Sequence, residues 1–213
     1  LAITLCRCMN IPARYTTGYL GDIGITPVPS PMDFSAWFEV FLGDRWYTFD
    51  ARNNTPRIGR IVMARGLGRG PTELAAFDAA LRDAGVANYN LLCLSSVIPP
   101  GSRIERTRWV TPVEHWGHRL YVVLSQARSS LPGEAVHAGI GWVQHATGGQ
   151  GLFVELHDTD RERLGLDLAA TLVAMQRGRG IELGPVHTEI ASVTCESEPA
   201  CALVVAVYAT QQW

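Results

Sequence analysis

Residues 202–209 read ALVVAVYA. A short, nearly continuous apolar run rich in β-branched residues is a strand buried on both faces. Such a strand demands layers above and below it. The rest of the chain supplies them. Residues 120–126, 139–144, 151–157 and 186–194 have strand patterning. Two helices stand apart from these strands. Thr72 caps the first, which runs to Ala84 before the stop at Gly85. In it Leu74, Phe77, Leu81 and Ala84 share a face, with Asp78 beside that stripe. The second spans residues 160–177, with Leu164, Leu168, Leu172 and Met175 at helical spacing; Met175 is core at that spacing, not a ligand. Antiparallel-style strands with two separate helices make an α+β sandwich.

The first third reads differently. Residues 1–9 are the end of an amphipathic helix stopped by Ile11-Pro12. Strands follow at 13–20, 34–41, 45–49 and 58–64, the middle two joined in a hairpin by Leu42-Gly43-Asp44. Residues 21–33 are a loop rich in glycine and proline. Residues 66–70, GLGRG, read as a flexible loop without the spacing of a dinucleotide fingerprint, and 102–117 as a polar loop. At 213 residues the chain holds one or two domains.

Residues 94–100 read LSSVIPP. The apolar run 91–94 delivers two adjacent serines, Ser95 and Ser96, and then Pro99-Pro100 end regular structure. By itself this is a strand end with a polar turn. Composition narrows the chemistry. All 18 basic residues are arginine, so pyridoxal phosphate, Schiff-base aldolase and P-loop chemistry lose the lysine each needs. A net charge of -2 offers nothing to nucleic acid or an anionic membrane. No apolar run approaches a membrane span and no signal peptide is seen. The five cysteines, Cys6, Cys8, Cys93, Cys195 and Cys201, fit no paired zinc spacing; free buried thiols in a reducing cytoplasm are expected, with a Cys195–Cys201 bridge the oxidised alternative. His137, His145 and His187 lack metal-ligand spacing, so no metal is expected. The first residue is Leu1, which suggests a fragment or a processed chain. In GLFVELH, alternation puts Leu152, Val154 and Leu156 on one face and Phe153, Glu155 and His157 on the other. Alternation alone favours a solvated face for Glu155; Asp78, beside a core stripe, reads by default as a helix-surface carboxylate.

Two resemblances cover the chain. LAITLCRCMNIPARYTTGYL and DFSAWFEVFLGDRWYTFDARNNTPRIGRIVMARG, within residues 1–65, resemble the core of bacterial transglutaminase-like proteins. That family implies a Cys-His-Asp triad. Its Cys falls upstream of Leu1, its His position holds Ser35, and only Asp50 matches; Cys6 and Cys8 are poor substitutes. A serine does not act as a base near neutral pH, so this piece is expected to be inactive. From residue 66 to the end, GPTELAAFDAALRDAGVANYNLLCLSSVIPPGS, EHWGHRLYVVLSQARSS, PGEAVHAGIGWVQ, GLFVELH, GPVHTEIASVT and CALVVAVYA are similar to pyruvoyl-dependent arginine decarboxylases.

The second resemblance implies an αββα sandwich and a division into residues 1–65 and 66–213. It implies self-cleavage between Ser95 and Ser96, with Ser96 becoming a covalent pyruvoyl group. It makes Glu155 the proton donor to the substrate α-carbon, Asn90 the amide that polarises a carbonyl or holds substrate, and Asp78 the receiver of the guanidinium. It implies a homotrimer or a dimer of trimers, with Asp78 and Glu155 from different chains, in the cytoplasm. The expected reaction is arginine to agmatine and carbon dioxide, with another amino acid as an open alternative. Two readings of other classes remain: a catalytically inactive fusion or fragment, and an amide-cleaving cysteine enzyme, against which Ser35 argues.

Overall fold

The structure, a computed structural model, describes residues 1–18, 35–43, 45–50, 55–56, 59–147 and 149–212. The loop expected at 21–33 and the side chains of Ser35 and Asp50 lie outside what it describes.

The chain opens with helix α1 (Ala2–Cys8) and strands β1 (Ala13–Gly18), β2 (Ser35–Leu42), β3 (Arg45–Asp50) and β4 (Thr55–Pro56). The strands form one antiparallel sheet in sequence order. α1 buries none of its side chains fully; Ala2, Ile3 and Cys6 are half-buried.

Strand β5 (Gly59–Arg69) begins the sandwich, followed by α2 (Glu73–Ala84), β6 (Asn90–Cys93), β7 (Val97–Ile98) and β8 (Ser102–Arg106). Then come β9 (Arg119–Ser129), β10 (Ala135–Gln144), β11 (Gly151–Asp158), α3 (Arg161–Arg179), β12 (His187–Thr194) and β13 (Ala200–Gln211). Five strands pair in the order β6-β9-β13-β5-β8, and four in the order β12-β10-β11-β7. One apolar cluster fills the space between the sheets, with Ile61, Val123, Ile140, Phe153 and Val204. A second lies between the five-stranded sheet and α2, a third between the four-stranded sheet and α3. These are the four layers of an αββα sandwich. β13 lies between β9 and β5, with Val204 and Ala206 facing the other sheet and Val205 and Val207 facing α2. Its double-sided burial is why ALVVAVYA tolerates no charge.

Three expectations are corrected. Residues 66–69 are strand, not loop: β5 runs unbroken past Arg65 and pairs with β13 to Arg69. Its glycines serve close approach. A Cβ at Gly66 would lie 2.0 Å from the Ala80 carbonyl oxygen, and one at Gly68 2.1 Å from that of Ala76. α2 therefore buries Ala76, Ala80 and Ala84 against bare backbone, while Leu74 stays 69% exposed and Phe77 and Leu81 are half-buried. Second, the polar stretch 102–117 contains β8, paired in parallel with β5, and a short 3-10 turn (Val113–His115). Third, Cys195 and Cys201 are buried but Cys8 and Cys93 are exposed; all five thiols are free. The caps stand as the sequence predicts: the Thr72 hydroxyl accepts from the Ala75 N–H, and Gly85 turns left-handed at φ 86°.

Candidate active site

β6 is an edge strand of one sheet and β7 an edge strand of the other. Residues 94–96 therefore carry the chain across from sheet to sheet. Two backbone hydrogen bonds fix this crossing: Leu94 N–H donates to the Val122 carbonyl at 2.8 Å, and Phe153 N–H donates to the Ser96 carbonyl at 2.8 Å. β7 then pairs with the start of β11, Val97 opposite Leu152. Beyond it the chain turns through Pro99-Pro100, with Gly101 at φ 73° and Ser102 N–H donating to the Pro99 carbonyl.

Ser96 sits at the apex with φ 65°, one of two non-glycine residues with positive φ among those described. A side-chain-bearing residue pays roughly 1–2 kcal/mol to enter this region, so surrounding contacts must hold it there. Its hydroxyl is one of them: Oγ donates to the Glu155 carboxylate, 2.7 Å from Oε1 and 2.8 Å from Oε2. Glu155 reaches it because alternation along β11 puts Phe153 and Glu155 toward the inter-sheet space and Leu152 and Val154 toward α3. The solvated face that alternation alone favoured is instead an internal one: Phe153 is fully buried and Glu155 half-buried. Tyr208, on β13, completes the surroundings. Its hydroxyl donates to the Val97 carbonyl at 3.0 Å, and its ring meets Phe153 edge-on with centroids 6.1 Å apart. Burial, and then the charge of Glu155, push its phenol well above the usual range.

From Glu155 an open groove of about 630 Å³ runs along β9 and β11, lined also by Ser125, Gln126, Arg128, Glu134 and Arg163. β6 covers β9 only over Arg119–Val122, and β7 covers β11 only over Gly151–Leu152. Residues 124–128 of β9 and Glu155, His157 and Asp158 of β11, beyond those pairings, border the groove.

Two expected residues stand apart from this contact. Asn90, at the start of β6, donates its amide Nδ2–H to the Gly117 carbonyl at 2.7 Å. Asp78 lies on α2 with its side chain 59% exposed, paired with Arg82 one turn on at 3.1 Å. Ser95 immediately precedes Ser96 on the crossing and is exposed. Sequence reasoning missed Tyr208; the one signal that could have found it is a lone hydroxyl in an otherwise apolar strand. Among the described residues no three or more His, Cys, Asp or Glu side chains gather as a metal site, and no helix is long and apolar enough to cross a membrane.

The pyruvoyl-dependent arginine decarboxylase family model matches residues 60–213, the whole sandwich with both serines and Glu155. The chain belongs to the pyruvoyl-dependent arginine decarboxylase family. Proteins of that name include one from Halobacterium salinarum, 37% identical over 157 residues, spanning 70% of this chain and 93% of the relative. One from Thermococcus kodakarensis is 32% identical over 156 residues, 72% of this chain and 95% of the relative. One from Thermoplasma volcanium is 38% identical over 86 residues, 38% of this chain and 45% of the relative. Residues 1–51 match the transglutaminase-like superfamily. The pyruvoyl-dependent arginine decarboxylase family is a family of enzymes, and its cofactor is a covalent pyruvoyl group rather than pyridoxal phosphate. The residues present fit that group: a serine hydroxyl held on a carboxylate, in backbone held away from its ordinary conformation, in a chain without lysine.

Proposed function

We propose that this chain cuts itself between Ser95 and Ser96 and, with the pyruvoyl group so formed, converts L-arginine to agmatine and carbon dioxide. The observation that carries the reading is the Ser96 hydroxyl donating to Glu155 from a left-handed backbone. Glu155 takes the hydroxyl proton as Oγ bonds to the Ser95 carbonyl carbon. That carbon releases the Ser96 nitrogen, which leaves as an amine, and the peptide has become an ester. Loss of the Ser96 α-proton then breaks the Cβ–Oγ bond, with the Ser95 carboxylate as leaving group. The resulting enamine tautomerises, adds water and expels ammonia, leaving a ketone at the new chain start.

Once formed, the pyruvoyl group supplies an electron sink for the substrate α-carbon as carbon dioxide departs. The chain's own residues do the rest. Glu155, freed from the hydroxyl, returns a proton to that carbon. A carboxyl half-buried beside Phe153 and Tyr208 is placed for that exchange. Asn90 presents an amide donor to a carbonyl once it releases Gly117. Asp78 receives the guanidinium, trading the side chain of Arg82 for that of the substrate. We place Asp78 and Glu155 of one site on different copies of the chain, in a trimer or a dimer of trimers. The half-uncovered strands beside the groove support such an assembly. We also place the division between the two units before Gly59, where β5 enters the sandwich, rather than at residue 65.

Intact-mass analysis tests this. Two fragments are expected, split between Ser95 and Ser96, the larger reacting with borohydride or hydroxylamine as a ketone. A single uncut chain overturns the reading, as does a Ser96→Ala variant that is still cut. Carbon dioxide release compared across arginine, ornithine and lysine tests the substrate; equal rates overturn the role of Asp78.

A further inference from the structure

The crossing at residues 94–97 is held at three backbone points. Leu94 N–H and the Ser96 carbonyl are held by backbone groups of β9 and β11. The third point, the Val97 carbonyl, is held by a side chain from a different sheet, the Tyr208 hydroxyl. Tyr208 is also where the register of β13 breaks. Val207 lies opposite Val122 and Ala209 opposite Tyr121, so Tyr208 is an extra residue with no partner on β9. A bulge of this kind bends its strand and re-aims one side chain. Here it interrupts the longest, most completely buried strand of the sandwich, and the side chain it re-aims spans the gap between sheets to the residue after Ser96.

We propose that Tyr208 is a positioning residue for self-cleavage, whose hydroxyl, by pinning the Val97 carbonyl, holds Ser96 in its left-handed conformation with Oγ on Glu155 and addressed to the Ser95 carbonyl. The proposal rests on the self-processing reading above. The hydrogen bonds fall on either side of the Ser95–Ser96 peptide, so the bond to be broken is bracketed by fixed points. Rotation about Val97 would let Ser96 relax to negative φ and carry Oγ off the carboxylate. Tyr208 does not exchange a proton in the acyl shift: that proton passes from Oγ through Glu155 to the departing nitrogen. Burial and the nearby carboxylate keep the phenol protonated, hence always a donor to the carbonyl. Its ring rests on Phe153, whose N–H holds the Ser96 carbonyl, so one residue steadies both anchors downstream of the bond.

The test uses the full chain made by cell-free translation, with the cut fraction followed over time by denaturing gel and intact mass. Tyr208→Phe keeps the ring and deletes the hydroxyl. It is expected to be cut about tenfold more slowly, about 1.4 kcal/mol of barrier, with an unchanged melting temperature and an unchanged pH profile of cleavage. Hydroxylamine, which intercepts the ester, is expected not to restore the rate, because the slowed step precedes the ester. A Phe variant cut as fast as the parent overturns the proposal. So does one whose cutting hydroxylamine restores, since the acyl shift is then intact. So does one that melts well below the parent, which makes the hydroxyl structural. An uncut parent chain overturns the self-processing reading itself and this proposal with it; a cut parent beside an equally fast variant removes Tyr208 alone.

Discussion

Among the described residues, the N-terminal unit and the sandwich each hold one non-glycine residue in the left-handed region, and they hold it for different reasons. Asn10, φ 58°, follows the end of α1, where its N–H donates to the Arg7 carbonyl. Asparagine tolerates this conformation because its short side chain bonds locally, and a helix end is where it is wanted. Ser96, φ 65°, has no helix to end. It is kept there by Glu155, by Phe153 and, one residue on, by Val97's bond to Tyr208. The same contrast runs through the packing. Among described side chains the N-terminal unit buries Ala13 and Val40, whereas the sandwich has three apolar clusters. An unusual backbone can be imposed where a packed frame surrounds it; elsewhere it must be a conformation the residue accepts by itself.

The contrast can be broken at several points, the largest effect first. Glu155→Gln removes the acceptor charge on Ser96, and self-cleavage is expected to slow by about 10²-fold or more; a time course by denaturing gel checks this. Asn10→Gly should leave that rate unchanged. Gly68→Val forces a side chain into the Ala76 carbonyl, which is backbone and cannot step aside. The expected loss is about 3 kcal/mol, read by calorimetry as a fall in melting temperature of about 6–12 °C. Tyr15→Ser, at a 65% exposed position of β1, should change stability by less than about 0.5 kcal/mol in a urea titration.

The smallest effect is with pH. All six histidines follow residue 114, so every imidazole lies in the sandwich. Burial, and then the neighbouring His118, hold His115 below its ordinary 6.5, against an opposing pull from Glu114. The unfolded chain therefore takes up this proton before the folded one does. The stabilising contribution is full above pH 6.5 and is lost as pH falls below it toward the folded value. His115 accepts or donates at the Tyr89 hydroxyl, 3.0 Å away, beside Asn90. Urea midpoints at pH 7.5 and 5.5 should differ modestly in the parent chain and less in His115→Gln.

Signals that are local in sequence carried over into the fold. Thr72 and Gly85 bracket α2, Leu164, Leu168 and Leu172 line the buried side of α3, and ALVVAVYA is the doubly covered strand. What stayed illegible depends on what is not next to it. Gly66 and Gly68 look like loop residues until α2 is laid against them, and only then is the missing side chain a fit. Asp78 sits on the solvent side of its helix because the helix buries alanines rather than Leu74. Ser96 and Glu155, 59 positions apart, came together in the sequence only through resemblance to a family. Nothing in alternation along β11 says that its polar face looks at another sheet. Tyr208 needed both sheets and a register break before its hydroxyl had a target.

The route of β5 bears on what the proposed cut between Ser95 and Ser96 would leave behind. β5 precedes Ser95 in the chain, yet it lies inside its sheet, flanked by β13 and β8 from beyond Ser96. β6, also from the first piece, zips onto β9 of the second. Cleavage would therefore sever one covalent link in an interleaved pair of polypeptides and release neither. The two pieces should travel together through any native separation and part only in denaturant. The transglutaminase-like passenger, joined to β5, would stay moored to an interior strand of a sheet it does not help to build.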